Sequence, residues 1–260
     1  MDSIGKIQIA QRLEMTMNKK ERLRVAVKTI YDSMENTIEV EWPATHNGQN
    51  VSTFSAQIGS LFPQDDNHGL LFIGRATNGW DRECPNGSDD YENDYFMSNM
   101  ERDSGKRRIF GLFKRVSQSF YGEDWYEHIA WSNVTKVAPC DKGNPSDELW
   151  DLQYDNMVKI LDYELHIISP SVAVFVIGSS IRCGYENPLL EIYPDIENHL
   201  LEKVVWGHYN DNNVLSSEAY LLNNRLVILT DRPDSRYAQR FMEDHSNALV
   251  ALIKKYKVVL

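Results

Sequence analysis

Val172-Ala173-Val174-Phe175-Val176-Ile177-Gly178 is the stretch on which the fold turns. Six apolar residues run to a glycine with no polar alternation, as a parallel-sheet strand requires when helices cover both its faces. Leu70-Leu71-Phe72-Ile73-Gly74 upstream has the same character. So do Ile129-Ala130-Trp131-Ser132-Asn133-Val134, which ends in polar residues, and Leu226-Val227-Ile228-Leu229-Thr230. Helical patterns lie between and around them. Ser146 is placed as the N-cap of a helix carrying Leu149, Leu152, Ile160, Leu161, Leu165 and Ile168. A last helix runs from about Arg236, with Phe241, Leu249, Leu252 and Ile253 inward. This alternation predicts an α/β fold: a central, mostly parallel sheet of about four strands with helices on both faces. Val204-Val205-Trp206 reads as an edge strand, while the rest of 184–224 has no clear pattern.

At the N-terminus, Leu23, Val25, Val27, Ile30, Tyr31 and Met34 fit a helix over Asn18–Asn36 with Lys and Arg on its other side. Trp42-Pro43 and Asn47-Gly48 end it. The expectation is an N-terminal helical extension over 1–45, able to dock a protein partner, and an α/β domain over 46–260.

Composition narrows the function. The chain has 260 residues, 42% hydrophobic, and a net charge of −11. That is a globular composition, and its acidity argues against strong nonspecific DNA binding, which rests on neutralising phosphates. No apolar run approaches the roughly 20 residues that span a bilayer, and the N-terminal stretch does not read as a signal peptide. A cytoplasmic protein without membrane attachment is expected. Three widely spaced cysteines, Cys84, Cys140 and Cys183, make no disulfide framework or four-cysteine zinc site. The histidines show no zinc-ligand pairing. No metal and no cofactor are expected.

Charge is unevenly spread. Residues 81–103 hold eight acids against Arg82 and Arg102, in a long irregular segment of the kind that is usually functional. Residues 104–116 then hold Lys106, Arg107, Arg108, Lys114 and Arg115 and no acid. This second stretch reads as a helix whose basic side is either a solvated face or a phosphate-contacting patch.

In a parallel α/β sheet, ligands bind where strands end and loops begin. Three strand ends are polar: Gly74-Arg75-Ala76-Thr77-Asn78-Gly79-Trp80, Trp131-Ser132-Asn133, and Thr230-Asp231-Arg232-Pro233-Asp234-Ser235-Arg236-Tyr237. Glycine fingerprints for dinucleotides or nucleotide triphosphates are absent, and so is a Gly-x-Ser-x-Gly elbow.

These segments resemble the uracil-DNA glycosylase superfamily over roughly 70–255. Leu71-Phe72-Ile73-Gly74 is similar to the strand leading into that family's water-positioning loop. Trp131-Ser132-Asn133-Val134-Thr135-Lys136, followed by Asn144-Pro145 and Trp150, is similar to the strand whose Asn reads the base. Ile228-Leu229-Thr230-Asp231-Arg232-Pro233-Asp234-Ser235 is similar to the strand and His-Pro-Ser segment. The departures are specific. Ala76 and Thr77 stand where the family has a carboxylate or Asn followed by proline, with Asn78 one place later. Arg232 replaces the histidine, and Asp234 is inserted before Ser235.

The resemblance implies a three-layer sandwich that accepts a flipped base and hydrolyses its N-glycosidic bond, the sugar becoming cation-like and the base leaving as an anion. Asn133, with a donor and an acceptor on one carboxamide, suits base reading, and Gly74 is a further base-binding candidate; a strand-end turn is the plainer role of Asn133. Arg232 suits stabilisation of the departing anion but cannot be an acid at neutral pH; a phosphate contact or a salt bridge to Asp231 or Asp234 is the alternative. Asn78 suits orienting a water and Asp81 activating it. Trp80, Tyr95 and Phe96 are stacking candidates, or aromatics packed under the loop. Ser235 and Arg236, where a helix begins, suit a phosphate, as do Lys106, Arg107 and Arg108; Ser235 serves equally as a cap. The ligand would be nucleic acid, a nucleoside or a nucleotide. A catalytically inactive base-binding module and an interaction scaffold are the other readings of the same residues.

Overall fold

A computed structural model describes residues 17–45, 51–76, 95–140, 143–178, 184–210, 213–233, 240–256 and 260. The apolar runs become β3 (Leu70–Gly74), β4 (Ile129–Asn133), β6 (Val172–Val176) and β9 (Arg225–Thr230), and every residue in them is buried. They lie side by side, all parallel, in the order β4-β3-β6-β9. Three further strands pair antiparallel at the flanks. The two-residue β2 (Gln57–Ile58) edges β4, and β8 (Asn213–Leu222) followed by β7 (Leu200–Asn210) extends the sheet beyond β9. A separate pair joins β1 (Val51–Thr53) to β5 (Val137–Pro139).

Side chains alternate across a strand, so each strand feeds two cores. On one face Leu71, Ile73, Ala130, Ala173, Phe175, Val227 and Leu229 join α1 (Lys19–Thr45), α4 (Asp147–Ile167) and α5 (Asn187–Ile192). On the other, Leu70, Phe72, Trp131, Val174, Val176 and Ile228 join α3 (Arg108–Tyr121) and α6 (Met242–Lys255), with the short α2 (Tyr95–Asp103) beside them. Phe72 stacks on Phe113 with centroids 4.2 Å apart. Ser146 caps α4 as expected, its Oγ accepting from Leu149 N at 3.4 Å.

Two expectations are corrected. The sheet has seven strands and mixed direction, not about four and mostly parallel. The additional strands come chiefly from 200–222, where three irregularities in the β7–β8 register break the alternation a reader looks for. The N-terminal helix is a core layer rather than an extension. Leu23, Val27, Tyr31, Met34, Ile38 and Trp42 are all buried in the core, while Val25 is exposed. Tyr31 Oη donates to Phe54 O at 2.7 Å, and Lys19 Nζ donates to Ile168 O at 2.7 Å and Asp65 O at 2.8 Å. Burial lowers the Lys19 pKa to about 8. Among the described residues no helix is long and apolar enough to cross a membrane.

Candidate functional site

The strand order decides where a crevice forms. From β3 the chain passes through α3 to β4 on one side, then through α4 to β6 on the other side of β3. Right-handed crossovers running in opposite directions put their helices on opposite faces, which is where α3 and α4 lie. The order therefore reverses between β3 and β6, and the carboxyl edge at such a switch point is where open α/β sheets bind their ligands.

Hydrogen bonds lace the strand ends along that edge. Val134 N donates to Gly74 O at 2.8 Å, and Thr135 donates through both N and Oγ1 to Arg75 O, each at 2.9 Å. Arg75 Nε donates to Ile177 O at 2.7 Å, and Gly178 N to Thr230 O at 2.9 Å. Gly74, Asn133 and Arg232, remote in sequence, thus share one edge.

Gly74 and Asn133 are direct partners in the β3–β4 register. A Cβ at position 74 would lie 2.5 Å from Asn133 Oδ1, so glycine is what lets the carboxamide lie across the end of β3. Asn133 is 1% exposed, and its Nδ2 has no hydrogen-bond partner among the described residues. Ile109, in the first turn of α3, would stand 3.5 Å from the same Cβ, so that helix begins over Gly74. Its first turn holds no acid, and Arg107, in the N-cap position, makes no side-chain cap bond. Lys106 and Arg107 are exposed and Arg108 half-buried, so the basic residues sit where the helix dipole is already positive. Lys114 and Arg115, further along α3, line a cleft of about 570 Å³ with Glu101, Arg102, Ser104 and Gln118.

Beneath Asn133 lies a polar cluster that the sequence reading missed. Lys136 Nζ donates to both Glu164 oxygens, to Ser132 Oγ at 2.9 Å and to Asn133 O at 2.7 Å. Ser132 Oγ in turn donates to Glu164 Oε2 at 2.6 Å. Gln153 closes the turn, its Oε1 accepting from Lys136 N and Val137 N. With Ser132, Lys136 and Glu164 all sealed from solvent, the cluster sets the shape of the Asn133 loop and offers no nucleophile.

Arg232 is half-buried just past β9. Three strand spacings, about 14 Å, separate β9, which leads to Arg232, from β4, which carries Asn133. Asp231 is committed elsewhere, its Oδ2 accepting from Ser216 N at 2.8 Å. His245, on α6, reaches the same strand end from below: its Nε2 is 2.7 Å from Thr230 Oγ1 and its ring stacks on Trp206 at 3.9 Å. Burial pushes this histidine down to about 3, so it stays neutral and fully covered. Asn78, Trp80, Asp81, Ser235 and Arg236 lie outside the described residues, and Phe96 is in α2 with its side chain outside them. Among the described residues no cluster of His, Cys, Asp and Glu is arranged to hold a metal ion.

No protein-family model matches the chain, and no curated protein matches it.

Proposed function

We propose that this chain is a divergent uracil-DNA glycosylase-like protein that takes a flipped nucleobase at the carboxyl ends of β3 and β4 and hydrolyses its N-glycosidic bond without a cofactor. One observation carries the reading: a buried carboxamide, Asn133, laid over a glycine, with a donor that has no partner among the described residues. An orphaned buried N–H costs about 1–3 kcal/mol, and a base carbonyl placed against it recovers that cost. The basic start of α3 suits the flanking phosphate. Arg232 suits the anion that develops on the leaving base, with Asn78 and Asp81 assigned to the water. Incubation with uracil-containing single- and double-stranded oligonucleotides tests the activity. Release of free base, lost in Asn133→Ala, supports it, and no release from either substrate overturns hydrolysis.

A second reading, a base-binding module without turnover, has its own support. Arg232 cannot donate a proton at neutral pH, and the neighbouring Asp231 carboxylate is bound to the Ser216 amide. Calorimetric binding of nucleoside or oligonucleotide with no base release selects it. An Arg232→His variant that gains release would place the loss of activity at that residue.

A further inference from the structure

Arg75 stands at the reversal point itself, between the ends of β3 and β6. Two contacts fix its guanidinium: Nε donates to Ile177 O at 2.7 Å, and the group lies 4.9 Å from the centroid of the Tyr185 ring. Tyr185 is held edge-on by Trp150, 5.1 Å between centroids at 79°. The Nε bond uses the inner donor and leaves the two terminal amino groups. Among the described residues Arg75 has no carboxylate partner, in a chain with 38 acidic residues where Lys28, Arg102, Lys114, Lys136, Lys203 and Lys255 each have one. A guanidinium held by a carbonyl and a ring, its terminal amino groups unpaired among the described residues, matches the planar pair of oxygens of an oxyanion.

Geometry relates it to the base position. Gly74 and Arg75 are consecutive, so they address opposite faces of the sheet edge. Asn133 and Ile109 meet Gly74 on the α3 side, and Tyr185 and Trp150 meet Arg75 on the α4–α5 side. A ligand lying across the edge touches both. We infer that Arg75 is the phosphate anchor of the crevice, so that the ligand is a phosphorylated nucleoside rather than a free base. This rests on the base-recognition reading above. Its phosphate comes from a mononucleotide or from a nucleic-acid strand.

The test uses the full chain with uracil, uridine, uridine 5′-monophosphate, a short uracil-containing single strand, and inorganic phosphate, at low salt. Uridine 5′-monophosphate or the single strand binds about 10- to 100-fold tighter than uridine, the span expected of a charge-assisted contact. In Arg75→Met the ratio falls to about one. In Tyr185→Leu, which keeps the charge and removes the ring, it falls part-way. A preference for the mononucleotide identifies a free nucleotide, and a preference for the oligonucleotide identifies a strand. Equal wild-type affinity for uridine and both phosphorylated probes overturns the anchor and leaves base recognition standing, as does a loss in Arg75→Met that is the same for all probes. If no nucleoside or nucleotide binds, base recognition fails, and inorganic phosphate decides on Arg75 alone. A shift of the Arg75 Nε–Hε resonance on phosphate titration retains the anchor, and no shift removes it. Should Arg75→Met fail to fold, Arg75→Lys and Tyr185→Leu carry the same comparison.

Discussion

Lys136 Nζ lies 2.8 and 2.7 Å from the two carboxylate oxygens of Glu164, and neither side chain reaches solvent. Taking two charges out of water costs several kcal/mol each, which only close geometry and full hydrogen bonding offset. Both conditions hold, because Ser132 Oγ and the Asn133 carbonyl complete the Lys136 shell. Burial lowers the Lys136 pKa while Glu164 pulls it back up, with burial the larger influence.

Lys136→Met therefore leaves Glu164 as an uncompensated buried charge and destabilises the protein by about 3–5 kcal/mol. The double variant Lys136→Met/Glu164→Leu costs distinctly less, because no lone charge remains. Urea unfolding of the three proteins checks this. A double variant at least as unstable as the single one would show that the pair itself, and not the charge left behind, supplies the stability.

Gly74→Ala drives a methyl into the Asn133 carboxamide, whose Oδ1 sits 2.5 Å from the new atom. Overpacking of this kind costs about 1–3 kcal/mol. Adding Asn133→Ala vacates that space, so the double variant regains stability over Gly74→Ala alone. A thermal-unfolding cycle reads the coupling. Strict additivity would mean that the alanine is accommodated by some other movement.

His245 makes stability depend on pH. Its folded pKa is about 3 against an ordinary 6.5, so between these values the unfolded chain binds the extra proton. The contribution is fully present above pH 6.5 and is lost as pH falls toward 3, roughly 4–5 kcal/mol across the window. His245→Phe keeps a ring against Trp206 and cannot titrate. Denaturation midpoints measured from pH 7 to pH 4 fall less steeply for this variant than for wild type; parallel curves would refute the assignment.

The sheet's centre was legible because burial on both faces leaves an unbroken apolar signature, as in Val172–Val176. The flanks were not. In β7, Leu201, Lys203 and Val205 are exposed while Trp206 and Gly207 are buried, so a bulge displaces the alternation within seven residues. The turn into β9 carried a signal that went unread: Asn223 and Asn224 both have positive φ, as a two-residue hairpin turn requires. The first helix was recognised as a helix, but its sequence does not say that α4 receives it. At the site, Gly74 and Asn133 could each be placed at a strand end, but their pairing needs the β3–β4 register, and so does the Lys136–Glu164 bond, which spans 28 residues. Arg75 lay inside the quoted motif, yet its meaning depends on Ile177 and Tyr185, which no local pattern connects to it.

Asp231 N donates to Ser216 O at 3.2 Å while Ser216 N donates to the Asp231 carboxylate at 2.8 Å, and the next residue, Ser217, places its hydroxyl 2.6 Å from Thr230 Oγ1. The root of the flanking hairpin therefore also holds the carboxyl end of β9, from which Arg232 follows. A single-residue slip between β8 and β9 would turn Ser217 to the opposite face, strip Thr230 of that hydroxyl and unfasten Asp231. Engineering of this hairpin consequently has a fixed boundary: its outer strand can be redesigned for solubility, while Ser216 and Ser217 fasten β8 to the end of β9 and must keep their register.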